Sequence, residues 1–325
     1  MKFAIAILNW NGEKLLKQFL PSVVASSPQA VIYLIDNASN DCSLNYVEKT
    51  FPALQIIALN QNYGYAGGYN KGLVHVKEDV ICLLNNDVLV KQGWLEPIIN
   101  HFKNNPNSAI AQPHIMDFNH PHKFEYAGAA GGYIDRLGYP YCRGRIFNHL
   151  EDDRGQYDQN ESVFWASGAC FFVRKNIFEA LGGFDEDFFA HMEEIDFCWR
   201  AKNQNMEVYA LHESKVYHLG GGTLKPSPEK TYLNFRNSLL MLLKNLPEKI
   251  YLRLMERMLW DGVALVFFVL QLKFTFALAV LRAHYFFYMN YSRFKIKRTK
   301  NRLYIDYYNL KNLPFRYFFL KKKKL

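Results

Sequence analysis

The sequence predicts an α/β protein built on a mostly parallel central sheet flanked by helices, with a helical extension at its C-terminal end. Three observations lead there. Short apolar runs recur at Phe3 to Leu8, Val31 to Ile35, Leu54 to Leu59 and Val80 to Leu84, the pattern of strands covered on both faces. Between them lie segments such as Glu13 to Val24 and Ser43 to Thr50, whose apolar positions suit helices packed on such a sheet. Near Pro226 and Pro228 the chain changes character and becomes helical, basic and aromatic. That shift divides it into a unit of residues 1–226 and an extension of residues 227–325.

At 325 residues, 50% hydrophobic and 21% charged, the chain can bury a full core and is not of disordered type. Its formal charge of +9 hides an asymmetry. Residues 1–228 carry 19 Lys+Arg against 25 Asp+Glu, whereas residues 229–325 carry 20 against 5, so the second part is suited to an anionic partner. The five cysteines lack CxxC spacing and read as reduced thiols of a cytosolic protein, without a functional role. The opening MKFAIAILNWNG reads as a first buried strand, since polar Asn9 and Asn11 follow its apolar run at once.

Polar residues stand just past the carboxyl ends of the strands: Asn9 and Asn11, Asp36 and Asn37, Asn60 and Asn62, then Asn85 to Asp87. In an open parallel sheet that edge is where ligands bind, so these clusters are expected to converge on one crevice. Residues 117–160, rich in Gly, Tyr, Asp and Arg, read as loops and short strands covering it. Pattern returns with strand-like FWASGACFFV, a helix from Asn176 to Leu181, a Gly182-Gly183 stop, a helix around Glu193 to Asn203 and a strand Glu207 to Leu211 leading to SKVYHLGGGT.

Each polar cluster admits a chemical and a structural reading. Asn85-Asn86-Asp87 offers a carboxylate through which Mg²⁺ or Mn²⁺ would bridge to a diphosphate, yet Asn and Asp after a strand are also ordinary turn formers. IDNASNDCS, with Asp36 and Asp41, suits a base and ribose, or an Asx turn before a helix. NQNYGYAGGYNKG has glycines that let backbone approach a ligand ahead of a helix N-terminus, but lacks the GxGxxG order of a dinucleotide site. In GGFDEDFFAHMEEIDFCWR the carboxylates point in different directions around a helix start: one facing a partly desolvated cleft would act as general base, others would cap the helix or pair with Arg200. His218 follows the strand-like KVY and is a metal or phosphate ligand if it reaches the same cavity, a structural histidine if not.

Taken in order, ILNWNG, IDNASNDCS, NQNYGYAGGYNKG, LLNNDV, SGACFFV, GGFDEDFFAHMEEIDFCWR and VYHLGG resemble the family 2 glycosyltransferases of the GT-A fold, in particular their bacterial rhamnosyltransferase-like branch, over about residues 1–245. The resemblance implies a nucleotide held by Asn9, Asp36, Asn37 and the loop containing Asn62, Gly67 and Asn70, with Asn85, Asn86 and Trp165 contributing to the nucleotide-sugar site. It implies a divalent metal, Mg²⁺ or Mn²⁺, at Asp87 and His218. The family's general base matches Glu194, with Glu193 and Asp196 as alternatives because the usual Glu-Asp or Asp-Asp pair reads Glu-Glu here. Asn85 stands where many relatives carry Asp, leaving fewer charges on the metal. The implied reaction is an inverting transfer of a hexosyl unit from a UDP- or dTDP-sugar, with dTDP-rhamnose suggested by the branch, to a saccharide or lipid-linked acceptor in cell-surface polysaccharide synthesis. Trp165, Ser167 and Phe188 to His191 are expected near the sugar or acceptor, or in the core.

In the extension, WDGVALVFFVLQLKFTFALAVLRAHYFFYMNY is interrupted by Asp261, Lys273 and Arg282, which favours an interfacial or packed amphipathic helix over a spanning one. RFKIKR and the terminal KKKK, set among aromatics, suit anionic headgroups, so a peripheral place at the inner face of the cytoplasmic membrane is expected. No nucleic-acid motif accompanies the charge, and no nucleic-acid partner is expected. The rival functions are a sugar-nucleotide-binding protein without turnover and a nucleotidyltransferase, the latter disfavoured because the early loops offer only Lys14 and Lys71 for a triphosphate.

Overall fold

The computed structural model describes residues 1–220, 227–247, 249–298 and 306–324. Gly221, Gly222 and Pro226, which the sequence reading placed after His218 and at the change of character, lie outside the described residues.

The first half builds the parallel part of the sheet. β1 (Phe3–Asn9), β2 (Ala30–Asp36), β3 (Gln55–Ala58) and β4 (Val80–Asn85) alternate with α1 (Glu13–Ser26), α2 (Ser43–Thr50) and α3 (Gly64–Leu73). β1 pairs in parallel with both β2 and β4, and β2 with β3. Alternate residues sort onto two faces: Phe3, Ile5, Ile7, Val80, Cys82 and Leu84 on one, Ala4, Ala6, Ile81 and Leu83 on the other. Both faces are buried, which is why these strands read as continuous apolar runs.

The second half adds mixed pairing. β5 (Val88–Val90) is followed by α4 (Glu96–Asn104) and β6 (Ser108–Asp117), then by β7 (Gly132–Ile134), β8 (Pro140–Cys142), β9 (Arg145–Ile146) and β10 (His149–Leu150), which form a separate antiparallel sheet of 4 strands. β11 (Glu161–Ser162), β12 (Cys170–Arg174), α5 (Lys175–Ala180), α6 (Glu193–Lys202) and β13 (Glu207–His218) complete the unit. The main sheet has 9 strands in the order β11-β13-β6-β12-β4-β1-β2-β3, with β5 on β13. The expected strand 207–211 continues to His218, bending through a register shift between Leu211 and Lys215.

α7 (Pro228–Asn245), α8 (Ile250–Leu270) and α9 (Phe274–Ile296) follow. The sequence break near 226 is not a break in packing. Leu239, Leu240, Met241, Leu242 and Leu243 of α7 share one core cluster with Ile81, Leu83, Phe171 and Trp199. The apolar stretch expected as one amphipathic helix is two helices, α8 and α9, turning at residues 271–273, where Leu272 adopts a positive φ of 58°. Asp261, the charge within it, is fully buried, paired with Arg257 at 2.8 Å and His284 at 3.2 Å and accepting from the Tyr139 hydroxyl at 3.0 Å. No helix among the described residues is long and apolar enough to cross a membrane.

Candidate active site

The strand ends bring the first polar clusters together. Asn9 and Asp36 are register partners, and Leu8 is opposite Asn85. Asn9 is fully buried; its Nδ2 is within 3.2 Å of Asp36 Oδ1 and donates to Ser43 Oγ at 3.0 Å, while its Oδ1 accepts from Asn86 Nδ2 at 3.0 Å. One amide thus ties the IDNAS loop to the Asn-Asn-Asp turn. Asn37 does the same for the next loop: its Nδ2 donates to Asn62 Oδ1 and the Gly64 carbonyl, both at 3.0 Å, and its Oδ1 accepts from the Tyr63 N–H.

β5 carries the Asn-Asn-Asp turn to β13. Because Val88 pairs with His218, Asp87 is delivered beside the histidine. His218 Nε2 lies 3.0 Å from Asp87 Oδ1 and 3.4 Å from Asn85 Nδ2. Its Nδ1 lies 3.3 Å from Glu125 Oε2, an ion-pair contact without hydrogen-bond alignment. Burial pushes the imidazole pKa down, but the Asp87 and Glu125 carboxylates outweigh it and raise it to about 10. A carboxylate and an imidazole are ligand types that a divalent ion accepts, but no group of three or more His, Cys, Asp or Glu among the described residues is placed to hold one, and Asp87 and His218 are here paired with each other. Asp87 faces one imidazole nitrogen and a second carboxylate, Glu125, stands at the other, where it orients the ring. Glu125, in the weakly patterned segment 117–160, carries no local sequence signal.

The acidic motif forms a 3₁₀ turn, Glu186–Phe188, and then α6, entered through positive φ at Phe189, His191 and Met192. α7 holds this strained stretch from outside. Asn237 Nδ2 donates to the carbonyls of Phe188, Ala190 and His191, and Arg236 Nη2 to those of Asp187 and Phe188. At the helix start stand Glu193 and Glu194, whose Oε2 atoms are buried and find no hydrogen-bond donor among the described residues. Burial raises both: Glu193 goes well above the carboxylate range, pushed further by Glu194, and Glu194 reaches about 7. The buried Cys142 thiol, its pKa raised by burial, accepts from Arg145 Nη2 at 3.3 Å.

Several expected ligand residues are used differently. Asp196 is fully buried with both oxygens engaged, Oδ2 by Arg200 and Lys244 at 2.9 Å each and Oδ1 by Asn245 at 2.8 Å; its cations outweigh burial and lower its pKa, so it fastens α6 to α7 and is no proton acceptor. Trp165 is 3% exposed and its indole donates to the Tyr133 carbonyl at 2.9 Å; a Cβ on Gly132 would stand 2.0 Å from its ring, so it is core. Ser167 and Phe188 are buried as well. Most of the glycine-rich segment is α3 itself: a Cβ on Gly68 would meet Leu8 at 2.8 Å and one on Gly72 would meet Ile35 at 2.4 Å, so these glycines let the helix press on the sheet. Gly67 is buried against Tyr63 and Glu186, and the amide of Asn70 is taken by the Phe184 backbone.

A sequence model of the family described as "Glycosyl transferase family 2" matches residues 4–182, more than half of the chain. The chain belongs to that family. This glycosyltransferase, which uses a sugar nucleotide, is 25% identical over 248 residues to the low-salt glycan biosynthesis hexosyltransferase Agl10 of Haloferax volcanii, covering 73% of this chain and 74% of that protein. It is 25% identical over 228 residues to the N-acetylglucosaminyl-diphospho-decaprenol L-rhamnosyltransferase of Mycobacterium tuberculosis, covering 64% and 73% respectively. Its fold is that of GT-A enzymes: a crystal structure of GalNAc-T7 with UDP, GalNAc and Mn²⁺ superposes with a TM-score of 0.61 at 16% identity, covering 77% of this glycosyltransferase and about half, 49%, of that chain.

Proposed function

We propose that the protein is a metal-dependent, inverting hexosyltransferase that moves a sugar, rhamnose being the first to test, from a UDP- or dTDP-sugar to a saccharide or lipid-linked acceptor in cell-surface polysaccharide synthesis. The observation that carries the reading is the 3.0 Å contact between Asp87 and His218, framed by Asn85 and Glu125. In this reading Asp36 and the Asn62 loop border the nucleotide, and Asn9 and Asn37 fix those loops relative to the Asn-Asn-Asp turn. Glu194 removes the proton from an acceptor hydroxyl as that oxygen bonds to the anomeric carbon. The bond from that carbon to the diphosphate oxygen breaks on the opposite face, its electron pair leaving with the nucleoside diphosphate, and the configuration inverts. A divalent ion held by Asp87 and His218, Mg²⁺ or Mn²⁺, would neutralise charge on the departing diphosphate.

Support for a lipid-linked acceptor comes from the mycobacterial relative, whose name specifies a decaprenol-linked one. Support for a place at the cytoplasmic membrane face comes from the surface. Outside residues 251–320 the exposed large apolar side chains are scattered: Met1, Trp10, Val31, Val74, Tyr126 and Phe189. Within that segment they crowd both helices and the 315–320 turn, next to the basic residues of the extension.

The reading is tested by thermal shift with UDP and dTDP, with and without Mn²⁺, followed by transfer assays with anomeric analysis of the product. A metal-dependent shift is expected, lost in Asp87→Ala; Glu194→Gln should keep the shift and lose transfer. Retained transfer in Glu194→Gln, or product of the donor's own anomeric configuration, would overturn the mechanism.

A further inference from the structure

A cavity of about 1130 Å³ lies between the catalytic unit and the extension, larger than the roughly 300–1,000 Å³ that small-molecule sites usually occupy. Its walls are aromatic and aliphatic, with Phe235 from α7, Trp260, Ala264 and Phe268 from α8, Phe276 from α9 and Phe318 beyond. Its two ends differ in chemistry. At one end stand Tyr126, the chain neighbour of Glu125, and the first turn of α7 with Ser227, Lys230 and Thr231. Glu125 in turn lies 3.3 Å from His218, so Tyr126 sets this end one residue from the proposed catalytic region. The other end reaches Phe267, Gln271 and Lys273 at the turn between α8 and α9, where Leu270, Leu272 and Phe274 are 76%, 75% and 60% exposed. The apolar cavity therefore runs from Tyr126, the neighbour of Glu125, to the most apolar part of the surface.

The cation on the wall at this end is Lys230, half-buried. An ammonium at the end of an apolar cavity is suited to an anion that arrives with a ligand. Arg145, 5% exposed, lies 4.7 Å from the Tyr126 ring centroid and is not part of the wall.

Resting on the reading of a lipid-linked acceptor, we infer that this cavity receives the hydrocarbon chain of that acceptor, with its phosphate at Lys230 and its tail leaving between α8 and α9 toward the membrane. The occupant is a long-chain phosphate ester. Tail and head recognition thus fall on different residues, and shortening the tail removes contacts far from the reacting hydroxyl.

Equilibrium dialysis of the full chain with farnesyl phosphate below its micelle concentration, alongside farnesol and inorganic phosphate, tests this without sugar nucleotide or metal. The wild type should bind farnesyl phosphate at least about tenfold more tightly than either control, the tail and head each contributing. Ala264→Trp, which fills the passage, should weaken farnesyl phosphate at least about tenfold and leave inorganic phosphate unchanged. Lys230→Met should weaken farnesyl phosphate and leave farnesol unchanged. Ala264→Leu provides a milder block should the tryptophan impair folding, and an unchanged thermal-shift response to nucleotide in either variant certifies an intact fold. Equal binding of farnesol and its phosphate, farnesyl phosphate binding indifferent to both Ala264 variants, or no wild-type binding each overturns the inference; self-association through the apolar face without lipid binding does so too. Absence of lipid binding with an intact nucleotide response sinks the passage alone, whereas lipid binding without any nucleotide response sinks the transfer reading alone.

Discussion

If Glu194 is the base, the transfer rate must follow its ionisation. Burial lifts this carboxyl to about 7, against about 4.3 for an unperturbed glutamate. Only the ionised form accepts a proton, and that form makes up about nine-tenths at about pH 8 and one-tenth at about pH 6. Turnover over acceptor KM should therefore fall roughly tenfold between those values, with a limiting slope of one on the acid side. The same span would change the rate by a few per cent at most for a carboxyl in the ordinary range. The assay is initial-rate transfer at saturating sugar nucleotide and Mn²⁺, with nucleotide binding measured at each pH to remove effects at His218. Glu194→Gln should abolish the acid limb and cost roughly 10²- to 10⁴-fold in kcat. The linked stability has a definite sign: the folded state holds this proton more tightly than the unfolded chain, so stability falls as pH rises from the usual carboxylate range to about 7. Glu194→Gln should accordingly raise the melting temperature at about pH 8. A level rate profile across this range, with binding intact, would refute the assignment.

Other expected outcomes concern the supports of the site. Glu125→Gln should weaken Mn²⁺ binding roughly 10- to 100-fold by loosening the His218 ring, leaving metal-free nucleotide binding unchanged; a Mn²⁺ titration reads both. Lys244 is 3% exposed and lies 2.7 Å from Asp185 and 2.9 Å from Asp196, so Lys244→Met should cost about 3–5 kcal/mol of unfolding free energy in denaturant titration. Gly132→Ala drives a methyl into the Trp165 ring, 2.0 Å away, and should cost about 1–3 kcal/mol with a loss of native tryptophan fluorescence.

Much of this architecture was legible because double burial leaves a plain trace. The four apolar runs of the parallel strands appear within about two residues of their observed bounds, and the polar residues after three of them do share one edge. Asp87 and His218 were readable as partners only through the ordered motifs; the strand pairing that joins them, Val88 with His218, leaves no local signal. Glycines are ambiguous in sequence, since a residue without a Cβ serves equally for a ligand's approach or a strand's, and at Gly68 and Gly72 α3 packs against the strands. Glu194 and Asp196 are likewise alike in local sequence. What separates them is Lys244, 48 positions away, which neutralises the second and leaves the first alone. FWASGACFFV looked like one strand, but only Cys170–Arg174 pairs, because Trp165 is claimed by Gly132 and Ser167 by Gln112.

The clamp from α7 also limits how the polypeptide can be cut. Division at residue 226 would bare Leu239, Leu240, Leu242 and Leu243, each stabilising the fold by about 1.5–3 kcal/mol through burial, and would remove the amide that fixes three carbonyls ahead of Glu193. The end of α9 adds its own grip, with Arg293 on Asp187 and Lys297, just past the helix, on Asp185 at 2.6 Å. Swapping the terminal helices between relatives would therefore disturb the proposed proton-accepting end of the reaction as well, and recombinants of this kind have to carry the acidic stretch and its clamp across as one piece.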